Sequence, residues 1–208
     1  MTLDREIESL NQKLLKMCDI VIKNLKTAFS AYKKETELEV IDDDLVNRYE
    51  RLIEELCLDI LVRERPYSRD LRVISGVLKL VSDLERIGDH AEDVMEYATK
   101  LKNDKNKTRP EVEQMIEICL NMVVDSILSY TKMDIAKANS VINMDDIIDE
   151  IYAEVVEDLI KESSSKPSYA IYTTLVVKYI ERICDHAVNI AEWVIYIISG
   201  YYKDAQIF

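Results

Sequence analysis

The sequence predicts an all-α protein of six long helices, arranged as two tandem three-helix bundles. Only three glycines and three prolines occur in 208 residues, and these two residue types are the poorest helix formers. Apolar side chains recur every three or four residues in the segments between the prolines, which is the period of an amphipathic helix. The heptapeptide ERIGDHA at 85–91 returns as ERICDHA at 181–187. The second half of the chain therefore repeats the first.

The first repeat divides into three predicted helices. The first continues until the apolar pattern pauses in the charged segment 33–36. The second ends before Pro66, because proline cannot continue a helix. The third begins at Ser68 and carries an apolar stripe from Val73 to Leu101. The predicted helices are 3–33, 37–63 and 68–102, within a first domain of residues 1–105.

The second repeat also divides into three predicted helices. Thr108, Pro110 and Glu111 form a capping box with proline in the first helical turn. A charged break at 132–134 precedes the next helix, and Pro167 starts the last one. Helices joined by short connections pack antiparallel, so each repeat should form a three-helix bundle. The predicted helices are 109–132, 135–162 and 167–202, within a second domain of residues 106–208.

Composition restricts the functional classes. Forty acidic residues against 27 basic ones give a net charge of −13, which repels nucleic-acid phosphates and anionic membrane surfaces. The first residues have no signal-peptide pattern, and the longest apolar run, Trp193–Ile198, is too short to span a bilayer. The four cysteines form no CxxC pair, which argues against a zinc knuckle or a disulfide framework. We therefore expect a cytoplasmic protein with no nucleic-acid partner and no membrane span.

Pairs of oxygen-bearing side chains four residues apart recur in both repeats. Residues at this spacing stand side by side on one helix face, where like charges repel. Two pairs lie in the repeated heptapeptide, and two lie in the preceding helices, in the matching segments DDLVN and DDIID. The pairs are Glu85 with Asp89, Asp43 with Asn47, Glu181 with Asp185, and Asp145 with Asp149.

The helix hairpins should bring these pairs level with each other. In an antiparallel hairpin, two residues are level when the mean of their numbers is the midpoint of the turn. In the first repeat, Asp43 with Asp89 and Asn47 with Glu85 both give 66, which is the proline of the turn. The corresponding pairs of the second repeat both give 165, inside the SSSKP turn. The sequence therefore predicts one carboxylate-rich cluster in each hairpin.

Facing carboxylates disfavour each other's ionised form, and a bound cation relieves that repulsion. An all-oxygen ligand set suits Mg²⁺, Mn²⁺, Ca²⁺ or iron more than Zn²⁺. We expect divalent or iron-type ions, Fe, Mn, Mg or Zn, without choosing among them. Asp93 and Asn189, one turn further along, would add ligands or only extend the polar stripe. His90 and His186 are rotated about 100° from the acidic faces, which favours packing. The alternative to metal binding is a solvated acidic face balanced by Arg51, Arg86 and Arg182.

Catalysis is not indicated. No E-x-x-H pair occurs, and that pattern supplies the histidine ligands of carboxylate di-iron bundles. We therefore expect a non-enzymatic protein and keep a di-metal carboxylate enzyme as the less favoured alternative.

Two surface features have open roles. The first hairpin turn carries Arg63, Arg65, Arg69 and Arg72. Arg63 and Arg65 would complement a helix C-terminal dipole, or the turn would form a docking patch for an acidic partner or a phosphate. The aromatic group Tyr201, Tyr202 and Phe208 leaves a homodimer open.

The chain resembles the PhoU family over essentially its whole length. The motifs that carry the resemblance are ERIGDHA with the downstream EDV, ERICDHAVNIAE, and RERPYSRDLR. The resemblance implies metal clusters bound through E(D)-x-x-x-D motifs, here Glu85 with Asp89 and Glu181 with Asp185, together with their partners on the preceding helices. Asn47 stands where an acid would complete the pattern, so the two clusters can differ in charge or occupancy. Cys184 replaces the glycine of the motif and adds bulk.

The resemblance also implies a function and partners. It implies negative regulation of the phosphate-starvation response, by a protein that couples a phosphate ABC transporter to a membrane sensor histidine kinase at the inner face of the membrane. Peripheral membrane association would then come through these partners. An accessory subunit of another phosphate or anion transporter would share every sequence feature and is the alternative.

Overall fold

The computed structural model describes residues 3–36, 40–106 and 108–203, and the backbone of 205–206. Seven helices and one short hairpin are formed in these residues. The elements are α1 Leu3–Tyr32, α2 Asp43–Glu64, α3 Ser68–Leu101, α4 Pro110–Lys132, α5 Ile135–Ile142, α6 Asp145–Glu162, α7 Pro167–Ser199, β1 Tyr201–Tyr202 and β2 Ala205–Gln206. The predicted all-α class with two three-helix repeats is confirmed, with α5 as an additional short helix.

Helix α2 begins later than the predicted residue 37. Asp42 caps it, because the Asp42 side chain accepts a hydrogen bond from the backbone N–H of Leu45 at 3.1 Å. Residues 40–42 are not helical, and 37–39 lie outside the described residues. At its other end, Arg65 adopts a left-handed conformation with φ of 46° and terminates the helix one residue before Pro66.

The continuous helix predicted over 135–162 is wrong. The segment forms α5 and α6, with a turn at Asn143 and Met144. By the repeat offset of 102, α5 corresponds to the connection 33–40 of the first repeat, so it is a helical connection between α4 and α6. Ala138 and Val141 of α5 are buried, and this separate apolar face explains why the short segment is helical.

Helix α7 also ends earlier than the predicted residue 202. Gly200 has φ of 85° and its N–H donates to the Tyr196 carbonyl at 2.8 Å, which is a favourable glycine C-cap. The chain then turns back, and Tyr201 pairs with Gln206 in the β1–β2 hairpin. Within the described residues, no helix combines the length and apolarity needed to cross a membrane.

The core is organised around α3 and α7, which pack against each other in antiparallel directions. Residue numbers rise along α3 while those of its partners on α7 fall, in the contacts Gly76 with Ile197, Asp83 with His186, His90 with Tyr179, and Tyr97 with Tyr172. Helices α1 and α2 pack on α3, and α4, α5 and α6 pack on α7. One apolar core therefore runs through both repeats, and the four cysteines are buried free thiols within it.

Candidate metal centre

The first carboxylate cluster lies in the α2–α3 hairpin. A Cβ atom added to Gly88 would lie 3.1 Å from Val46 Cγ1 and 3.4 Å from Asp43 Oδ1. The Asp43 carboxylate therefore faces the helical turn that begins at Glu85 and ends at Asp89, as the hairpin midpoint predicts. On its own helix, Asp43 Oδ2 accepts a hydrogen bond of 2.9 Å from Asn47 Nδ2.

Burial and mutual repulsion act on this cluster together. Partial burial raises the pKa of Asp43, and the charge of Asp89 raises it further. Burial likewise raises the pKa of Glu85, followed by the charge of Asp89, while Arg86 opposes the effect. Asp89 is thus close enough to disfavour the ionisation of Asp43 and of Glu85.

Sequence reasoning missed two members of the first cluster, Glu50 and Glu92. Burial raises the pKa of Glu50 to about 7, and Glu85 is the next contributor. Burial and the charges of Asp43 and Asp89 raise the pKa of Glu92, which is exposed. Both would have been found by extending the polar faces by one turn, since Glu50 follows Asn47 by three residues and Glu92 follows Asp89 by three.

The second carboxylate cluster lies in the α6–α7 hairpin. Burial raises the pKa of Asp145, followed by the charge of Asp149. The pKa of Asp185 is raised to about 6 by desolvation and by the charges of Glu181 and Asp145. Asp149 and Asp185 are nevertheless exposed, so solvent screens part of their repulsion. The second cluster is therefore open to water on one side.

A fifth carboxylate, Glu192, belongs to the second cluster. Its charge contributes to the raised pKa of Asp145. Sequence reasoning also missed this residue, which lies seven positions, or two helical turns, after Asp185.

The alternative to metal binding, a solvated acidic face neutralised by arginine, is supported only in part. Arg86 contacts Asp89 Oδ2 at 2.9 Å and Glu85 Oε2 at 3.5 Å, but its side chain is 60% exposed. Arg182 lies 6.0 Å from the Tyr179 ring centroid instead of pairing with the second cluster, and Arg51 is exposed. Arginine therefore neutralises at most a part of the first cluster.

Asp93 and Asn189 make their hydrogen bonds away from the cluster carboxylates. Asp93 Oδ2 lies 3.1 Å from His90 Nδ1. Asp83 Oδ1 accepts from Asn189 Nδ2 at 3.2 Å and lies 2.8 Å from His186 Nδ1. The two imidazole rings are 5.7 Å apart. These side chains therefore connect α3 to α7. Sequence reasoning did not identify Asp83 as part of this contact.

Among the residues predicted as ligands, three buried oxygens have no hydrogen-bond partner in the described part of the chain. They are Asp43 Oδ1, Asn47 Oδ1 and Asp145 Oδ1. Unsatisfied buried acceptors are costly, and oxygens of this kind suit hard cations. Among the described residues, no group of three or more His, Cys, Asp or Glu side chains surrounds a common position that could hold a metal ion. The donor set nevertheless fits a cation in its chemistry.

Each repeat matches a known protein domain. The PhoU domain model matches residues 14–98 and 112–194, which is one match for each repeat. The chain belongs to the PhoU family. A PhoU homolog of Aquifex aeolicus, named as a phosphate-specific transport system accessory protein, is 36% identical, and the alignment covers 96% of this chain and 94% of the relative. A homolog of the same name from Clostridium acetobutylicum is 31% identical, with 95% and 94% covered.

Solved PhoU structures have the same fold. PhoU from Pseudomonas aeruginosa superposes with a TM-score of 0.88 at 32% identity, and covers 96% of this chain and 100% of that structure. The phosphate transport system regulatory protein PhoU from Streptococcus pneumoniae gives a TM-score of 0.87 at 25% identity, with 98% and 100% covered. Membership of this accessory-protein family confirms the expectation of a non-enzymatic protein.

The arginine-rich turn of this PhoU chain has partly internal contacts. Arg63 pairs with Asp59 one turn earlier on α2, and Arg72 Nε donates to the Ile197 carbonyl at 3.4 Å. Arg65 and Arg69 are exposed, and the Tyr67 side chain between them is also exposed. Arg63 and Arg72 therefore have structural roles, while the exposed part of the turn is available for contacts.

The aromatic group at the chain end is divided. Tyr202 stacks on Trp193 with ring centroids 4.0 Å apart, whereas Tyr201 is exposed. Phe208 lies outside the described residues.

Proposed function

We propose that this chain is an accessory and regulatory protein of phosphate-specific transport whose two carboxylate clusters bind metal ions. In this role it couples a phosphate ABC transporter to a sensor histidine kinase and restrains phosphate-starvation signalling. The names of its relatives support the phosphate-transport role. The duplicated clusters with their unpartnered buried oxygens support metal binding.

The proposed ions are Fe, Mn, Mg or Zn, held by oxygens of two neighbouring helices. In the first cluster the ligands would come from Asp43, Asn47, Glu85 and Asp89, and in the second from Asp145, Asp149, Glu181 and Asp185. A bound cation supplies positive charge between carboxylates that otherwise repel each other. The ion would thus brace each hairpin. Asp93 and Asn189 would contribute from the adjacent turn only on leaving their contacts with His90 and Asp83.

Metal content and thermal stability test this proposal. A ligand that binds only the folded state stabilises it by about 2.7 kcal/mol at a hundredfold excess over its Kd. For a protein of this size, that corresponds to a rise of about 5–11 °C in Tm. We expect metal in the purified protein, a lower Tm after chelation, and loss of both effects in the double variant Asp89→Ala/Asp185→Ala.

The control is Asp19→Ala/Glu117→Ala, which removes two exposed acids from α1 and α4. It should keep the metal and the response to chelation. If the cluster variant retains wild-type metal content and melting behaviour, the clusters do not bind metal.

Capture of partners from membranes tests the regulatory role. The tagged protein is incubated with detergent-solubilised membranes from cells grown at high and at low phosphate, and bound proteins are identified by mass spectrometry. Recovery of a phosphate ABC transporter and a sensor histidine kinase supports the proposal. Recovery of a different anion transporter alone would favour the alternative accessory role.

A further inference from the structure

The two clusters differ at one pair of matched, level positions. The repeat offsets relate Glu50 to Tyr152 and Ser82 to Lys178. Each pair is level in its hairpin, because the mean of its residue numbers is 66 in the first repeat and 165 in the second. The first hairpin therefore has a carboxylate and a hydroxyl where the second has a phenol and an ammonium.

Lys178 acts as an internal cation of the second cluster. Its Nζ lies 2.6 Å from Glu181 Oε2 and 5.2 Å from the centroid of the Tyr152 ring, and a ring face attracts an ammonium. Its charge also opposes the rise in the pKa of Asp185. Glu181 and Tyr152 together hold this lysine beside the oxygens that a metal ion would use.

The C-terminal hairpin adds a second ammonium at the same cluster. Lys203 Nζ lies 3.1 Å from Glu192 Oε2, although that oxygen has no directed hydrogen bond. The contact is therefore electrostatic. In the first repeat the residue matched to Glu192 is Glu96, which pairs with Lys100 at 2.5 Å on the outer face of α3.

The local charges therefore differ. Among the described residues, the first cluster places five carboxylates against the exposed guanidinium of Arg86, and Asn47 adds no charge. The second sets five carboxylates against two ammonium groups. The carboxylates are Asp43, Glu50, Glu85, Asp89 and Glu92 in the first cluster, and Asp145, Asp149, Glu181, Asp185 and Glu192 in the second.

We propose that the clusters bind divalent cations unequally. The first binds them more tightly, because Lys178 and Lys203 already neutralise part of the negative charge of the second cluster. This inference rests on the metal binding proposed above and adds an order of filling. Repulsion between a monovalent and a divalent cation about 6 Å apart weakens binding about tenfold even with the dielectric constant of water. The second cluster therefore fills only at higher metal concentration.

Single-cluster proteins measure the two affinities separately. Glu181→Ala/Asp185→Ala leaves only the first cluster, and Glu85→Ala/Asp89→Ala leaves only the second. Both are titrated with Mn²⁺ by isothermal calorimetry after chelator treatment, with circular dichroism to verify the helical fold. We expect the Kd of the first cluster to be lower by about tenfold or more.

Charge exchange at the matched position tests the cause. In the protein that retains only the second cluster, Lys178→Ser should lower the Mn²⁺ Kd about tenfold; in the protein that retains only the first, Ser82→Lys should raise it about tenfold. Lys161→Ser is the control, because it removes the same charge about 18 Å along α6 from Asp149 and should leave the Kd unchanged.

The outcomes separate the two proposals. Absence of Mn²⁺ binding at both clusters overturns the proposed metal function and this inference with it. Equal Kd values at the two clusters would overturn only the proposed unequal filling. The same holds if neither Lys178→Ser nor Ser82→Lys changes the Mn²⁺ Kd.

Discussion

Replacing Gly76 with alanine tests the contact between α3 and α7 that joins the two repeats. A Cβ atom at position 76 would lie 2.4 Å from Ile197 Cγ1 and 2.7 Å from Ile197 Cδ1. Both residues are buried, and a β-branched side chain has little rotational freedom at χ1. The added methyl group must therefore displace Ile197 or separate the two helices.

The expected magnitude follows from two opposing effects. Overpacking a filled core costs about 1–3 kcal/mol, whereas replacing glycine by alanine inside a helix gains up to about 1 kcal/mol. Since Ile197 Cγ1 is not the free end of the side chain, we take the upper half of the steric range. The free energy of unfolding should fall by about 1–2 kcal/mol, which lowers Tm by about 2–8 °C.

Urea unfolding followed by far-UV circular dichroism measures this change. Gly88→Ala is the matched control, because its new Cβ would meet its nearest atom, Val46 Cγ1, at 3.1 Å and the second repeat already holds Cys184 there. The control should stay within about 0.5 kcal/mol of wild type, as strain and helix propensity oppose each other. In Gly76→Ala/Ile197→Ala the costs should be less than additive. A Gly76→Ala protein as stable as wild type would refute the reasoning.

Two ionic features should also change stability in a defined direction. Because burial raises the pKa of Glu50 from 4.5 to about 7 in the folded state, the unfolded state releases this proton first. The chelated protein should therefore lose stability as the pH rises from about 4.5 to about 7, and Glu50→Gln should reduce the slope of Tm against pH; an unchanged slope would contradict this. Arg109 is 16% exposed and pairs with Glu162 at 2.9 Å and Asp158 at 3.3 Å. Arg109→Ala should therefore lower the free energy of unfolding by about 1–2 kcal/mol, measured by urea denaturation. A wild-type denaturation midpoint would show that this network does not stabilise the fold.

Long helices were predicted well wherever local signals mark both ends. Prediction and structure agree within two residues for α1, α3 and α4, because apolar periodicity acts over a few positions and Pro66 and Pro110 mark the starts of α3 and α4. The predicted Thr108 capping box does not form, since Arg109 is the N-cap residue of α4 and makes no side-chain cap. The errors occur where a connection was mistaken for helix, before Asp43, at Asn143 and after Gly200. Polar connections and helix surfaces have similar composition, so only the backbone conformation distinguishes them.

The candidate site was predictable to the extent that it lies within a hairpin. Asp43 and Asp89 lie at the same height in the hairpin because of the position of the turn and the helical rise per residue. Both quantities are set locally in the sequence. Glu50 and Glu92 were missed because each lies one turn beyond a pair of residues spaced four apart. The use of the two clusters as metal sites stays a prediction that the titrations above address.

The sequence by itself determined the duplication, the six long helices and the opposition of acidic pairs in each hairpin. These features depend on helical period and turn position, which neighbouring residues specify. Only the tertiary structure decided how α3 packs on α7, which brings His186 to Asp83, and how the C-terminal hairpin carries Lys203 to Glu192. These contacts depend on how the apolar faces of separate helices fit together, and chain periodicity does not specify which faces meet.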